Sequence, residues 1–264
     1  MKKFALITAF FLALSSAAKY IFYFIADGMG MGHAMGAEAY NRTVAGNDTP
    51  LMMMQFPVAS QCTTHSASSP VTDSAAAGTA LATGIKTTNS MLGMAPDSSH
   101  VNSIAVDLQK RGYGIGIITT EDADDATPGA FYAHVPNRGM FYEIGCDAAR
   151  CGFDFIAGRS LRGTVRDGKA TDLEKRFADN GVDVVRGLDA LSRSKSEKVM
   201  LLDSIAFPDV WYYTIDSVPG LTLASMTEAC MKHLEKNGRD KWFIMIEGGN
   251  IDHAGHANDA GTVI

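Results

Sequence analysis

The chain has 264 residues, 46% of them hydrophobic, and a formal net charge of −6. This length is sufficient for one sizeable α/β domain with its own core. The acidic balance argues against a nucleic-acid-binding protein, which would usually carry a basic patch. It does not exclude an anionic substrate, because a bound metal or an arginine can dominate the local field.

The first 18 residues have the pattern of a secretory signal peptide. Lys2 and Lys3 precede an apolar run over residues 4–14, and small residues up to Ala18 offer a cleavage point. The alternative is a buried first strand or helix. Because the run is too short for a comfortable membrane span, we expect no stable membrane anchor and an exported protein comprising residues 19–264. An oxidising compartment permits disulfides, and the sequence leaves open the pairing of Cys62, Cys146, Cys151 and Cys230.

Apolar runs and amphipathic stretches alternate along the rest of the chain. Strands are predicted at 20–26, 58–64, 113–120, 199–203 and 242–246, and helices at about 32–40, 75–84, 101–111, 141–150 and 222–237. The pattern weakens between 153 and 193, and we interpret about 153–198 as a peripheral insertion with short helices. Strands that alternate with helices predict a three-layer α/β/α sandwich around a mostly parallel sheet.

Polar residues fall where several of these strands end. Asp27, Thr119 and Glu247 all lie at or just beyond the carboxyl end of a predicted strand. Ligands of open α/β sheets bind along that edge. We therefore expect these residues to converge in space, although they are far apart in sequence.

The segment around Ser74 is the most informative part of the chain. Asp73 and Ser74 stand at the start of an alanine-rich run, and alanine has the highest helix propensity. Backbone N–H groups and the helix dipole favour an anion at that position, which suits a serine nucleophile that attacks phosphate. Plain N-capping of the helix is the alternative.

Three further clusters contain chemically useful groups. Asp27 is followed by Gly28, which suits either close approach to a metal or a simple Asp-Gly turn. Asp125 and Thr127 offer hard oxygen ligands for magnesium, and Arg138 offers a planar fork for two phosphate oxygens. The cluster of Asp125, Thr127 and Arg138 taken alone also fits a loop with a capped helix and one surface arginine.

The last cluster follows the strand predicted at 242–246. It contains Glu247, Asp252, His253 and His256 within ten residues. Asp252 and His256 are four residues apart and would share one face of a helical turn, where oxygen plus imidazole suits zinc. The alternative is a solvated turn.

Taken in order, these clusters resemble those of the alkaline phosphatase family, most closely its bacterial secreted members. In that family, the position of Ser74 is the nucleophile that forms a phosphoserine, and that of Asp27 binds the second zinc and bridges towards magnesium. Positions like Arg138 hold two non-bridging phosphate oxygens. The resemblance assigns the magnesium site to Asp125, Thr127 and Glu247, and the first zinc to Asp252 and His256.

The resemblance also implies two zinc ions and one magnesium ion, phosphomonoester substrates, alkaline pH and a homodimer. Zinc would lower the pKa of the Ser74 hydroxyl, and zinc-bound hydroxide would hydrolyse the phosphoserine. His253 matches a position that varies between lysine and histidine and tunes magnesium or phosphate binding through water. His134 matches a position to which we assign a structural role.

The chain departs from the family pattern near Ile264. The family draws an Asp-His pair and one more histidine from later positions, so the first zinc keeps Asp252 and His256 and the second keeps Asp27 and Ser74. We expect a C-terminally truncated enzyme with an incomplete sheet, weak zinc affinity and low activity. The alternatives are a phosphodiesterase or sulfatase of the same superfamily, or a non-catalytic fragment that binds metal or phosphate.

Overall fold

The computed structural model describes residues 18–205, 213–216 and 220–264. The predicted signal peptide falls almost wholly on residues 1–17 and therefore lies outside the described residues. The strands are β1 (Tyr20–Ala26), β2 (Gly114–Thr119), β3 (Phe155–Gly158), β4 (Val165–Arg166), β5 (Lys169–Ala170), β6 (Val182–Arg186), β7 (Lys198–Leu202) and β8 (Trp242–Gly248). The α-helices are α1 (Met31–Thr43), α2 (Ser74–Thr83), α3 (Ile104–Lys110), α4 (Ala126–Gly129), α5 (Phe141–Arg150), α6 (Leu173–Asp179), α7 (Gly187–Arg193), α8 (Leu223–Lys236), α9 (Asn250–His256) and α10 (Ala260–Val263).

Six strands form one sheet in the order β1-β8-β2-β3-β7-β6, and every neighbouring pair is parallel. The remaining two strands, β4 and β5, form a separate antiparallel pair. Helices cover both faces of the sheet, which confirms the predicted α/β/α architecture. β2, β3, β7 and β8 are almost fully buried, as expected for parallel strands covered on both faces.

The sheet separates two apolar clusters. Phe243 and Met245 of β8 face the larger cluster, which includes side chains of α2, α3, α5 and α6. Trp242 and Ile244 face the smaller cluster, which is built around α8. This alternation follows from the two-residue period of a strand.

The central position of β8 brings the polar strand ends together. Glu247 is in register with Ile25 of β1 on one side and with Thr119 of β2 on the other. The amide of Asp27 donates to the carbonyl of Gly248 at 3.2 Å. The convergence expected from the sequence is therefore present in the fold.

Small side chains let α2 lie close to α4. Gly78 of α2 faces Ala130, and a Cβ on Gly78 would lie 3.2 Å from the Cβ of Ala130. Ala75 and Ala82 of the same helix are buried. The alanine-rich sequence therefore supplies a close helix contact as well as helix propensity, and it places the start of α2 beside the loop that leads into α4.

Two stretches differ from the prediction. Residues 58–64 form no strand and are exposed, because four of these seven residues are polar and no strand of the sheet pairs with them. Residues 155–158 and 182–186 are strands β3 and β6 of the main sheet, which the interpretation as a peripheral insertion with short helices did not include, although α6 and α7 are short helices of that stretch. Both strands are short, which explains why their period was not recognised. The domain boundaries stay a prediction.

Strand β1 lies at one edge of the sheet in the described part of the chain. Its side chains Tyr20, Phe22 and Phe24 are exposed, Phe24 by 65%.

The four cysteines are unpaired, and Cys146 and Cys230 are buried. Across the described ranges, no helix is both long and apolar enough to cross a membrane.

Candidate active site

Ser74 is the first residue of α2, and its side chain does not cap that helix. The cap is Asp73, whose Oδ1 accepts the amide of Ala76 at 2.9 Å. The Oγ of Ser74 instead donates to Oδ2 of Asp27 at 2.8 Å, across 47 positions of sequence. The capping alternative for the Ser74 hydroxyl is thereby removed, and the hydroxyl lies between the helix N-terminus and a carboxylate from β1's end.

Asp27 lies in an environment that disfavours its ionised form. Burial raises the pKa of Asp27, the hydrogen bond from Ser74 opposes this, and the nearby charge of Asp252 raises the pKa further. Gly28 makes this proximity possible, because a Cβ there would lie 2.6 Å from Oδ1 of Asp252. Gly28 also has a φ of +68°, which favours glycine. Two carboxylates that approach each other in this way form a setting that a cation would stabilise.

Glu247 is the most buried acid of the site, with 1% of its surface exposed. Thr119 donates its hydroxyl to Oε2 of Glu247 at 2.5 Å, and Thr127 also bonds the carboxylate. Burial outweighs both bonds and raises the pKa of Glu247 to about 8, with the charge of Asp27 contributing in the same direction. The other oxygen, Oε1, has no hydrogen-bond partner among the described residues.

Arg138 reaches the start of α2 from the loop after α4. Its Nη2 lies 3.3 Å from Oδ1 of Asp125, and its Nη1 lies 3.9 Å from Oδ2 of Asp73. Its own amide donates to the carbonyl of Ser90 at 2.8 Å, and the amide of Ser90 donates to Asp73 at 2.9 Å. The guanidinium is therefore oriented by groups that flank Ser74, while about a third of its side chain stays exposed to an incoming anion.

Glu121 is a site residue that the sequence reasoning missed. Its side chain is 5% exposed, and its Oε2 lies 3.3 Å from Nε2 of His253. Burial raises the pKa of Glu121 and the bond to His253 lowers it, whereas the charge of Asp125 raises it. The same bond raises the pKa of His253 against the effect of burial. The sequence feature that could have identified Glu121 is the run of acidic residues at 121–125, just after β2. That run does not single out Glu121, because it also contains acids with another role.

That other role belongs to Asp122 and Asp124. Asp122 accepts hydrogen bonds from Arg159, Ser160 and Arg162. Asp124 accepts the backbone amides of Arg162 at 3.0 Å and Gly163 at 2.7 Å. These acids fasten the loop after β2 to the segment after β3.

The face of α9 holds the more exposed part of the site. Nε2 of His256 lies 3.5 Å from Oδ2 of Asp252, and the side chain of His256 is 80% exposed. The two residues share one face of the helix, as their spacing predicts. His134 is engaged elsewhere, with Nε2 bonded to the carbonyl of Val101 at 3.1 Å and its ring stacked on His100.

The donor chemistry separates the two implied metals. Asp27, Thr127 and Glu247 are hard oxygen donors, and the unpartnered Oε1 of Glu247 fits magnesium, which needs few carboxylates because it retains waters. For zinc, the described residues supply only two donors at each position. Within those residues no three His, Cys, Asp or Glu side chains group as a metal cage by themselves, so Asp27 and Glu247 would hold magnesium together with Thr127 and waters.

Comparisons with known proteins agree on one family. The profile of the family described as alkaline phosphatase matches residues 18–264. Alkaline phosphatase 4 of Bacillus subtilis is 32% identical over 72% of this chain and 41% of its own length. The repressible alkaline phosphatase of Saccharomyces cerevisiae is 28% identical over 96% of this chain and 50% of its own length. The chain thus spans about half the length of the curated relatives that it matches.

Solved structures give the same result. The alkaline phosphatase of the Antarctic bacterium TAB5 superposes with a TM-score of 0.80 at 31% identity, over 93% of this chain and 69% of the other. A mutant of that enzyme was solved with magnesium bound and has a TM-score of 0.80 at 32% identity, over 93% of this chain and 68% of the other. The enzyme of Thermus thermophilus has a TM-score of 0.78 at 28% identity, over 93% and 52% of the two chains.

Proposed function

Because this chain belongs to the alkaline phosphatase family, we propose that it hydrolyses phosphomonoesters through a phosphoserine on Ser74. The observation that carries the proposal is the bond from Ser74 Oγ to Asp27 at the N-terminus of α2. If Ser74 served only as a helix cap, its side-chain oxygen would accept a hydrogen bond from a backbone N–H in the first turn of α2. Here Asp73 caps the helix and leaves the Ser74 hydroxyl for chemistry.

In the first half of the reaction, Ser74 Oγ attacks the phosphorus atom in line with the leaving alcohol. The bond from Ser74 Oγ to phosphorus forms and the ester bond to the alcohol breaks. The hydroxyl proton of Ser74 passes to solvent, and the departing oxygen takes up a proton from solvent to leave as the alcohol. Asp27 accepts the hydrogen bond from Ser74 and so directs its oxygen. In the second half, water cleaves the phosphoserine and releases inorganic phosphate. Such covalent catalysis divides one difficult displacement into two easier ones.

Arg138 and the start of α2 stabilise the negative charge of the transferring group. The guanidinium presents a fork that suits two non-bridging phosphate oxygens, and it exchanges Asp125 and Asp73 for them when substrate enters. The N-terminus of α2 adds a partial positive charge. A monoester has a third non-bridging oxygen and a second negative charge that a diester lacks, and the N-terminus of α2 can stabilise them, so this arrangement favours phosphomonoesters over the phosphodiester alternative.

The proposed metals are magnesium, held by Asp27, Thr127 and Glu247 with Asp125 nearby, and zinc, held in part by Asp27 with Ser74 and by Asp252 with His256. When bound, these ions supply Lewis acidity that lowers the pKa of an attacking hydroxyl and neutralises charge on phosphate. The chain's own contribution is to place hard oxygens beside Ser74. The carboxylates of Asp27 and Asp252 lie close together, and a cation would relieve their repulsion.

The proposed setting is a bacterial periplasm or the medium outside the cell, with a homodimer as the assembly. The signal-like pattern of the first 18 residues supports export. The family supports the dimer. Secretion of a fusion through the first 18 residues, and light scattering of the purified chain, test these two statements separately.

The test is hydrolysis of p-nitrophenyl phosphate at alkaline pH with zinc and magnesium. The variants are Ser74→Ala and, as a matched control, Ser99→Ala, whose hydroxyl also bonds a carboxylate, Asp97, at 2.6 Å on an exposed turn. We expect Ser74→Ala to lose activity by about a thousandfold or more and Ser99→Ala to keep it. Mass spectrometry after an acid quench should find phosphate on Ser74.

A Ser74→Ala variant with wild-type turnover would refute the proposal. A wild-type chain that binds phosphate and metal without turnover or phosphoserine would instead support the non-catalytic alternative. The observation favouring that alternative is the supply of only two donors for each zinc. Bis-p-nitrophenyl phosphate is tested in parallel. It is a diester with two non-bridging oxygens and a single negative charge, so faster hydrolysis of this compound than of p-nitrophenyl phosphate would identify a phosphodiesterase.

A further inference from the structure

Glu121 is linked to Glu247 through a short chain of hydrogen bonds. The amide of Glu121 donates to Oγ1 of Thr119 at 2.9 Å, and the same hydroxyl donates to Oε2 of Glu247 at 2.5 Å. Thr119 is fully buried at the end of β2. The backbone position of Glu121 is therefore set by the same residue that holds the central carboxylate of the candidate magnesium site.

The carboxylate of Glu121 has one oxygen in use and one that is not. Oε2 faces Nε2 of His253 at 3.3 Å. Oε1 is buried and has no hydrogen-bond partner among the described residues, as is also true of Oε1 of Glu247. An ionised oxygen that is buried without a donor is unfavourable, and a bound cation is one of the few partners that removes the penalty.

Gly249 leaves the space that this carboxylate fills. A Cβ on Gly249 would lie 2.5 Å from Oε1 and 2.5 Å from Cγ of Glu121. Gly249 directly follows β8 and precedes α9, so Glu121 packs against the turn that joins Glu247 to Asp252. The free oxygen thus lies in the same corner of the fold as the other candidate ligands.

We propose that Glu121 is a further carboxylate of the divalent-cation site beside Glu247. Its Oε1 binds a magnesium-class cation or one of that cation's waters, while its Oε2 positions His253. The proposal rests on the proposed function, since it extends the metal centre assigned there. It adds a ligand that neither the sequence motifs nor the family resemblance supplied.

The test is magnesium binding to metal-free protein, measured by calorimetry and by the rise in melting temperature with added magnesium chloride. We expect Glu121→Gln to raise the magnesium Kd by about tenfold to a hundredfold, the range found when groups around a metal are changed. The matched control is Glu143→Gln. Glu143 also has a buried oxygen for which the described ranges supply no partner, but it lies on α5 against Arg166. The control should keep the wild-type Kd.

A Kd for Glu121→Gln within twofold of the wild-type value would overturn the proposal, as would a wild-type chain with no saturable magnesium binding. Glu121→Asp provides a second variant, because it keeps the charge and withdraws it by one methylene. Its Kd should fall between those of the wild type and Glu121→Gln. A circular dichroism spectrum confirms that each variant is folded before titration.

The remaining question is whether Glu121 acts only by orienting His253. We expect Glu121→Gln to weaken magnesium binding further when it is added to His253→Gln. If His253→Gln alone reproduces the whole loss and the double variant loses no more, the ligand role of Oε1 is wrong.

The outcome is distinguishable from that of the proposed function. If the chain forms no phosphoserine but binds magnesium in a way that depends on Glu121, the proposed function is wrong and the role of Glu121 is supported. If the chain forms phosphoserine and its magnesium Kd does not depend on Glu121, the role of Glu121 is wrong and the proposed function is supported.

Discussion

Two pairs of buried carboxylates lie at the same edge of the sheet and differ in their partners. Asp122 and Asp124 accept several hydrogen bonds from the segment after β3. Within the described part of the chain, Glu121 and Glu247 each have a buried oxygen without a donor. The first pair is complete in the protein alone, whereas the second pair has open acceptors that the proposed cation would fill.

The pKa values separate the pairs only in part: that of Glu121 is raised by burial, whereas that of Asp122 is lowered, against the effect of burial, by hydrogen bonds from Arg159 and Ser160. Burial raises the pKa of Asp124 to about 7 and that of Glu247 to about 8, although Asp124 accepts two backbone amides. Burial alone therefore does not identify a ligand. The second pair is distinguished by a buried oxygen without a donor among the described residues together with its place at the strand ends, since Glu143 on α5 also has such an oxygen.

The largest expected effect is on stability, at Asp124. Replacement by alanine leaves the amides of Arg162 and Gly163 buried without an acceptor, so Asp124→Ala should lower the free energy of unfolding by about 3 kcal/mol. Urea denaturation measures it, with the exposed Asp48→Ala as control. Adding magnesium should not change this decrease in the free energy of unfolding. If the decrease disappears when magnesium is added, Asp124 belongs with the candidate metal ligands Glu121 and Glu247.

Glu247 should behave in the opposite way. Glu247→Gln retains the shape and an acceptor for Thr119, so the metal-free protein should unfold near the wild-type urea concentration. Magnesium at a hundred times its Kd stabilises a binding protein by about 2.7 kcal/mol, and this gain should be absent from the variant. An undiminished magnesium effect would show that Glu247 does not hold the ion.

Arg138 adds a third case to the comparison. Its guanidinium pairs with Asp125 in this structure, and in the proposed reaction the phosphate group replaces Asp125 as its partner. Arg138→Lys removes the fork and leaves a point charge, so we expect inorganic phosphate to bind about tenfold more weakly, or about 1.4 kcal/mol. Calorimetry measures the Kd, and Arg150→Lys on the exposed end of α5 is the control. Equal losses in both variants would indicate a general charge effect.

The smallest expected effect is on the pH dependence of stability, at His134, whose Nε2 is hydrogen-bonded to the carbonyl of Val101. Burial lowers the pKa of His134, and nearby His100 acts in the same direction, while the bond to Val101 and the charge of Asp147 oppose them. The unfolded chain therefore binds more protons below about pH 6.5, so stability present at pH 7.5 should fall on acidification.

The loss at His134 should be a few tenths of a kcal/mol, since the residue is only partly buried and solvent screens the effect. Urea denaturation of metal-free protein at pH 7.5 and 5.5 measures it, and His134→Gln should reduce the difference. An unchanged difference would assign the pH dependence to other groups.

The sequence by itself determined the strands and the helix that build the site. Continuous apolar runs predicted β1, β2 and β8. For β2 and β8 the reason is burial on both faces, which needs no polar side, whereas β1 has an apolar run although its alternate side chains are exposed. The alanine-rich run after Ser74 predicted α2, and the ordered motifs pointed to the family. These features are local, so a short window of residues contains their cause.

Tertiary structure alone decided which polar atoms are satisfied. Thr119 and Glu247 meet across 128 positions, and Ser74 meets Asp27 across 47. The run from Glu121 to Asp125 looks uniform in sequence, yet Arg162 and Gly163 complete two of its acids and leave Glu121 open. Likewise β3 and β6 became strands, and residues 58–64 did not, because strand pairing depends on neighbours that lie far along the chain.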